Sequence, residues 1–178
     1  MKSWPYLLAA TLILAGIIHI TAVLLWPGFV MARLVSGLET QSGINLAVHA
    51  TRADENSRTV VRPSPDLIYT ICAFDVSEHP LKISAPVPDD TYFSLSMFGD
   101  NTDNFFVVND SQLTKNVVEI VLVKDDDQLT TLGGPPMVVA PSETGVLLFR
   151  TLIQSEDRFA ELDAIRKQAK CEPVIPTQ

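Results

Sequence analysis

The 178-residue chain is acidic: 13 Lys and Arg stand against 21 Asp and Glu, a net charge of −8. Such a surface repels a phosphate backbone, which excludes nucleic acid as a partner, and it argues equally against a surface that clings to anionic lipid. The two cysteines, Cys72 and Cys171, form no CxxC and stand at no zinc spacing with histidine, so no metal and no cofactor is expected.

Hydrophobic residues make up 47% of the chain and charged residues only 19%, where about 25% charged is usual. The deficit is local. From Tyr6 to Trp26 the only ionisable side chains are the terminal tyrosine and His19. A run of that length crosses a hydrocarbon core of about 30 Å as a helix. Trp4, Tyr6 and Trp26 stand at its ends as interfacial anchors do. Bulky Leu24, Leu25 and Trp26 occupy the place where a signal peptide would be cut, so residues 1–28 are expected to be an uncleaved anchor, loosened at Pro27 and Gly28. Lys2 before the run and Arg33 after it give a thin charge bias. The short N-terminal tail favours an inside N-terminus and an outside polar domain. His19 either faces a partner helix or is neutral and satisfied locally.

Residues 29–58 are expected to be a juxtamembrane helix and linker. Val30, Leu34, Val35 and Leu38 recur at helical spacing, Gly43 ends the pattern, and 44–58 is mixed and polar, with His49 a surface or locally bonded residue.

Residues 59–178 read as a β domain with a C-terminal helix. The strand signals are Thr59–Arg62, Leu67–Val76, Leu81–Ala85, Tyr92–Phe98, Asn104–Val108, Val117–Val123, Met137–Ala140 and Gly145–Ile153. Leu67–Val76 is apolar on both faces and is expected near the middle of the domain. In Tyr92–Phe98, Phe93, Leu95 and Met97 point in while Ser94 and Ser96 point out. The aspartates after Lys124 mark a solvated turn, since the glycine and glutamate of a calcium loop are missing. Ser155–Lys170 is predicted helical from its N-cap, its acidic first turn and the stripe Phe159, Leu162, Ile165 and Ala169. Short strands separated by turns every 8–12 residues or so indicate a β-sandwich of jelly-roll type.

A few side chains invite a chemical reading. Arg62, Ser64 and Asp66 face one side if their segment is extended: either a ligand-binding wall or an ion pair and turn that fix the strand's start. Asp100 to Asn104, with Asp103 and Asn104 at its end, is either a ligand loop or a turn made of turn-favouring residues. Arg150 interrupts an apolar strand and needs a partner, with Asp66 or Asp75 as candidates. Cys72 and Cys171 are either a disulfide tying helix to sheet in an oxidising compartment or two buried thiols.

The run Val60 to Tyr69, the pair Tyr92–Ser96 and Asp103–Asn109, and Ala140-Pro141-Ser142 with Leu148–Leu152 occur in an order that resembles the domain-of-unknown-function 1254 family. Arg62, Pro63, Asp66 and Tyr69 match its first motif, whereas Ser64 and Leu67 depart from it. The resemblance implies a jelly-roll sandwich, a bacterial source and no established activity. Larger members continue into a second domain, of unknown function 1214. The chain looks like the short, membrane-anchored branch in which the halves are separate polypeptides. It implies an inner-membrane protein with one span and a periplasmic domain. Three functions follow as expectations. The first is a non-enzymatic binding and assembly module that pairs with the second-half chain. The second is a hydrolase or sugar-processing subunit completed by that partner, using Arg62, Asp66, Tyr69, Asp103 and Arg150. The third is a stand-alone small-ligand or metal-binding domain.

Overall fold

The computed structural model describes residues 3–58, 63–125 and 134–175. The expected strand start at Thr59–Arg62, Arg62 itself and the aspartates 126 and 127 lie outside them.

Helix α1 runs without a break from Trp4 to Ser42, straight through Pro27. The juxtamembrane helix and the anchor are therefore one element, because Pro27 forfeits one ladder bond that the surrounding turns outlast. Its side chains are exposed from Trp4 to Trp26, and this is a helix long and apolar enough to cross a membrane. Beyond Trp26 the helix turns amphipathic. Met31 is buried and Leu34, Val35 and Leu38 are half-buried, while Val30, expected in the same stripe, is exposed. That stripe packs on one end of the β domain. Gly43, at φ 94°, ends the helix and donates its N–H to Glu39 O.

Two sheets share one core. Sheet A has the order β1 (Val48–His49), β2 (Leu67–Asp75), β8 (Thr144–Leu152), β4 (Phe93–Gly99), β5 (Asn104–Asn109). Sheet B has the order β7 (Met137–Val139), β6 (Val117–Val123), β3 (Leu81–Pro86), β9 (Lys170–Pro173). All pairings are antiparallel except β6 with β7. Period-two alternation puts Cys72, Phe74, Leu95, Met97, Leu147 and Phe149 of sheet A against Leu81, Ile83, Val118, Ile120, Leu122 and Cys171 of sheet B. β8, not β2, is the central strand of sheet A.

Residues 44–58, expected as linker, belong to the domain. Asn45 N–H donates to Ala73 O, its side chain brackets Asp75, and Val48 pairs with Ile71. Arg52 holds Glu156 through a forked pair at 2.6 and 2.8 Å.

The C-terminal helix is shorter than its pattern. A 3-10 turn at Glu156–Arg158 leads into α2, Phe159–Arg166. The exit tightens, with Gln168 and Ala169 N–H donating to Ile165 and Arg166 O. Lys170 and Cys171 then belong to β9, paired with Ser84 and Ile83. An open edge on β3 offers ladder bonds that a further helical turn would leave unmade. Leu162 of α2 closes a smaller cluster with Ile68 and Ile153.

Candidate functional site

The outer face of sheet A, the one turned from the core, carries the chemistry. Strand register places Tyr69 opposite Arg150, Arg150 opposite Ser94, and Ser94 opposite Asn109, a polar row across β2, β8, β4 and β5. Aliphatic rows flank it, Leu67 with Leu152 on one side and Ile71 with Leu148 on the other. All four are half-buried.

Arg150 does not pair with Asp66 or Asp75. Its Nε–H donates to Ser94 Oγ at 3.0 Å and Nη2 to Ser96 Oγ at 2.9 Å. The guanidinium roofs the two serines, which point out of the core as expected yet are 0% and 1% exposed. Asp75 lies at the other end of β2, opposite Thr144, where its carboxylate accepts Ser77 N–H. Asp66 is exposed and turned away.

The segment before β2 is a turn, not an extended wall. Leu67 N–H donates to Ser64 O, and Ser64 Oγ accepts Asp66 N–H at 3.3 Å. Pro65 at the second position sets the backbone angle for that reversal. Asp66 and Ser64 therefore share no face. Tyr69 joins this turn to the sheet: its hydroxyl accepts Ser64 N–H at 2.9 Å. Of the candidates, the structure brings together Tyr69 and Arg150. Arg62 lies outside the described residues.

Asp103 and Asn104 belong to a different place. Asn101 Nδ2–H donates to Asp103 Oδ2 at 2.6 Å, Asp103 N–H returns to Asn101 Oδ1, and Gly99 N–H donates to Asp103 O. Asn101 and Asp103 thus bond each other, Asp100 N–H donates to Ser142 Oγ, and Thr102 stands at φ 70°. Among the described residues no three His, Cys, Asp or Glu gather as a metal site would need. The loop's neighbour is α1. Leu24, Gly28, Met31 and Val35 form a groove of about 500 Å³ with Asp100, Asn101 and Thr144.

A second polar cluster, missed in the sequence, sits where α2 meets β1 and β2. His49 Nδ1 and Thr70 Oγ1 are 3.0 Å apart. Arg166 donates Nη1–H to Tyr69 O and Nε–H to Asp163 Oδ1, both at 2.7 Å. Burial, followed by the charge of Arg166, holds the His49 pKa below its ordinary value, against a smaller pull from Asp163. Bonding to Lys167, reinforced by Arg166, holds the Asp163 carboxyl below its ordinary value. Thr70 is 1% exposed, so the cluster is a brace for β1, β2 and α2. Only the tertiary pairing of Val48 with Ile71 exposes it, since a two-residue strand has no periodic signal.

Cys72 and Cys171 are both free and buried, with the Cys171 thiol beside that of Cys72. Burial, and then that neighbour, raises the Cys72 thiol pKa far above its ordinary value.

These features define a mainly β protein of two sheets hung on a membrane-length helix. A family model for a protein of unknown function (DUF1254) matches residues 44–173, and the chain belongs to that family. No curated protein matches it. The fold is similar to the crystal structure of an uncharacterized protein from Burkholderia cenocepacia, with a TM-score of 0.56 at 13% identity over 80% of this chain and 38% of that one. It is similar also to the VPA0106 protein from Vibrio parahaemolyticus, with a TM-score of 0.56 at 11% identity over 88% of this chain and 42% of that one. The chain thus spans about two fifths of the length of these solved structures.

Proposed function

We propose that the chain is a membrane-anchored binding and assembly module of the bacterial inner membrane. Its β domain, a sandwich of jelly-roll type, stands in the periplasm. Its partner is a separate chain carrying the second family domain, which docks on the outer face of sheet A. The observation that carries this reading is the polar row Tyr69–Arg150–Ser94–Asn109, with Tyr69, Arg150 and Asn109 half-buried, between half-buried aliphatic rows and with Val107 beside it 54% exposed. A face of this composition suits a protein surface with a polar anchor point. In both solved structures of the fold more than half of the polypeptide lies outside the match, so the fold occurs beside further mass. Direct bonding of Asn45 to β2 supports the anchoring role, because it holds the domain in one pose against α1.

A photo-crosslinker at Val107 tests the docking face. It is expected to capture a chain identified by mass spectrometry as bearing the second domain, while the same group at Glu172 on sheet B captures none. No capture at Val107, or equal capture at both, overturns it. An alkaline phosphatase fused to the C-terminus is expected to be active, and an inactive fusion places the domain in the cytoplasm. A second reading, an enzyme subunit completed by that partner, draws on the adjacency of Tyr69 and Arg150. It requires turnover that appears only in the assembled pair.

A further inference from the structure

We infer that Arg150 is the centre of a carboxylate-binding site on the outer face of sheet A, with Ser94 and Ser96 as the pair that positions the guanidinium. The inference rests on that face being the binding face and adds the chemistry of what it receives.

A guanidinium keeps its charge at every relevant pH, so placing one in an apolar strand asks for a counter-ion. Among the described residues no ion pair involves Arg150, and its only hydrogen bonds are to the two serines. The serines are neutral acceptors. They take the Nε–H and one N–H of Nη2, leaving the other N–H of Nη2 and both of Nη1. No buried side-chain nitrogen or oxygen among the described residues lacks a partner, so the unused guanidinium edge is open. The two serines, themselves almost wholly buried, fix that edge in one orientation.

The geometry therefore offers a guanidinium fork, which a carboxylate accepts in bidentate fashion. Two observations favour a carboxylate on an aliphatic body over phosphate. The rows Leu67–Leu152 and Ile71–Leu148 give it half-buried apolar ground on either side. The net charge of −8 repels a dianion more than a monoanion. The carboxylate belongs either to a free aliphatic acid or to an acidic side chain of the docked partner.

The test is a ligand-observed NMR titration of the full chain in nanodiscs, with empty nanodiscs as the blank. The probes are 3-methylbutanoate, acetate and inorganic phosphate. Saturable binding is expected, tighter for 3-methylbutanoate than for acetate. Arg150→Gln is expected to weaken it by about tenfold or more, as loss of a charge-assisted bond does. Arg150→Lys should retain part of the binding. Absence of saturable binding, equal binding by Arg150→Gln, or tighter binding of phosphate overturns the site. Displacement of 3-methylbutanoate by the crosslinked partner assigns the carboxylate to the partner's side chain, and simultaneous binding assigns it to a free acid. A failed titration with the Val107 crosslink intact overturns this site and leaves the docking face standing. A lost crosslink with the titration intact does the converse.

Discussion

Cys72 of β2 and Cys171 of β9 stand side by side in the core, one from each sheet, with 0% and 2% of their surfaces exposed. The pair closes a loop of roughly 100 residues, and a bond there would contribute up to about 4.7 kcal/mol in the chain-entropy model. Under the proposed periplasmic location, thiol–disulfide exchange with a disulfide-donating oxidoreductase during folding would join the two thiols, which are free in the structure. Protein isolated without reductant and then denatured is expected to titrate no thiols, and both after reduction. Both thiols titrating without reductant would show that the pair stays reduced.

Arg166 is the pin of the brace between α2 and β2. Its removal leaves Tyr69 O with the Ala50 N–H alone and takes one cation from Asp163, which keeps Lys167 at 2.6 Å. Arg166→Ala is therefore expected to lower stability by about 2–4 kcal/mol in denaturant titrations. A loss below about 0.5 kcal/mol would mean that Lys167 and solvent replace it fully.

Acid should loosen the same corner. The folded-state pKa of His49 lies below its unfolded value near 6.5, so the unfolded chain takes up the proton first. The His49 contribution is present above that value and is lost as pH falls through the folded pKa. Asp163, also depressed, adds a second loss at lower pH, below its unfolded 3.8. The melting temperature is expected to fall from pH 7.5 to 5.0, with a shallower slope in His49→Gln. An identical slope in that variant would assign the effect elsewhere.

Gly145 has no room for a side chain. A Cβ there would meet the Phe98 carbonyl and come within 2.6 Å of Phe74 Cζ. Gly145→Ala is expected to cost about 3 kcal/mol or to prevent folding. A melting temperature equal to that of the parent would show that β4 can shift away.

Asp66 and Asp103 should separate. The exposed Asp66 carboxylate makes no described bond, so Asp66→Ala should stay within about 0.5 kcal/mol of the parent. Asp103→Ala loses the Asn101 bond and should cost about 1 kcal/mol. Equal and large losses in both would restore a structural role for Asp66.

Strands β2 to β8 were legible because short apolar runs and their alternation between turn residues are local patterns. β1 and β9 were not: each is defined by a partner strand, Val48 by Ile71 and Cys171 by Ile83. The stripe Phe159 to Ala169 fits a helix, but tertiary pairing ended it at Arg166. The site was half legible. Arg150 announced itself by interrupting an apolar strand, and Tyr69 by its family motif. Ser94 and Ser96 read as solvent-facing because nothing local says that an arginine from a neighbouring strand will lie over them.

Because α1 continues unbroken through Pro27 and is bonded to β2 just past Gly43, the lipid-length segment and the β domain share one helical phase. Inserting a single residue after Trp26 would turn sheet A by about 100° around the helix axis and lift it by about 1.5 Å. The direction in which Arg150 looks around the axis of α1 is thus written into the residue count of that helix.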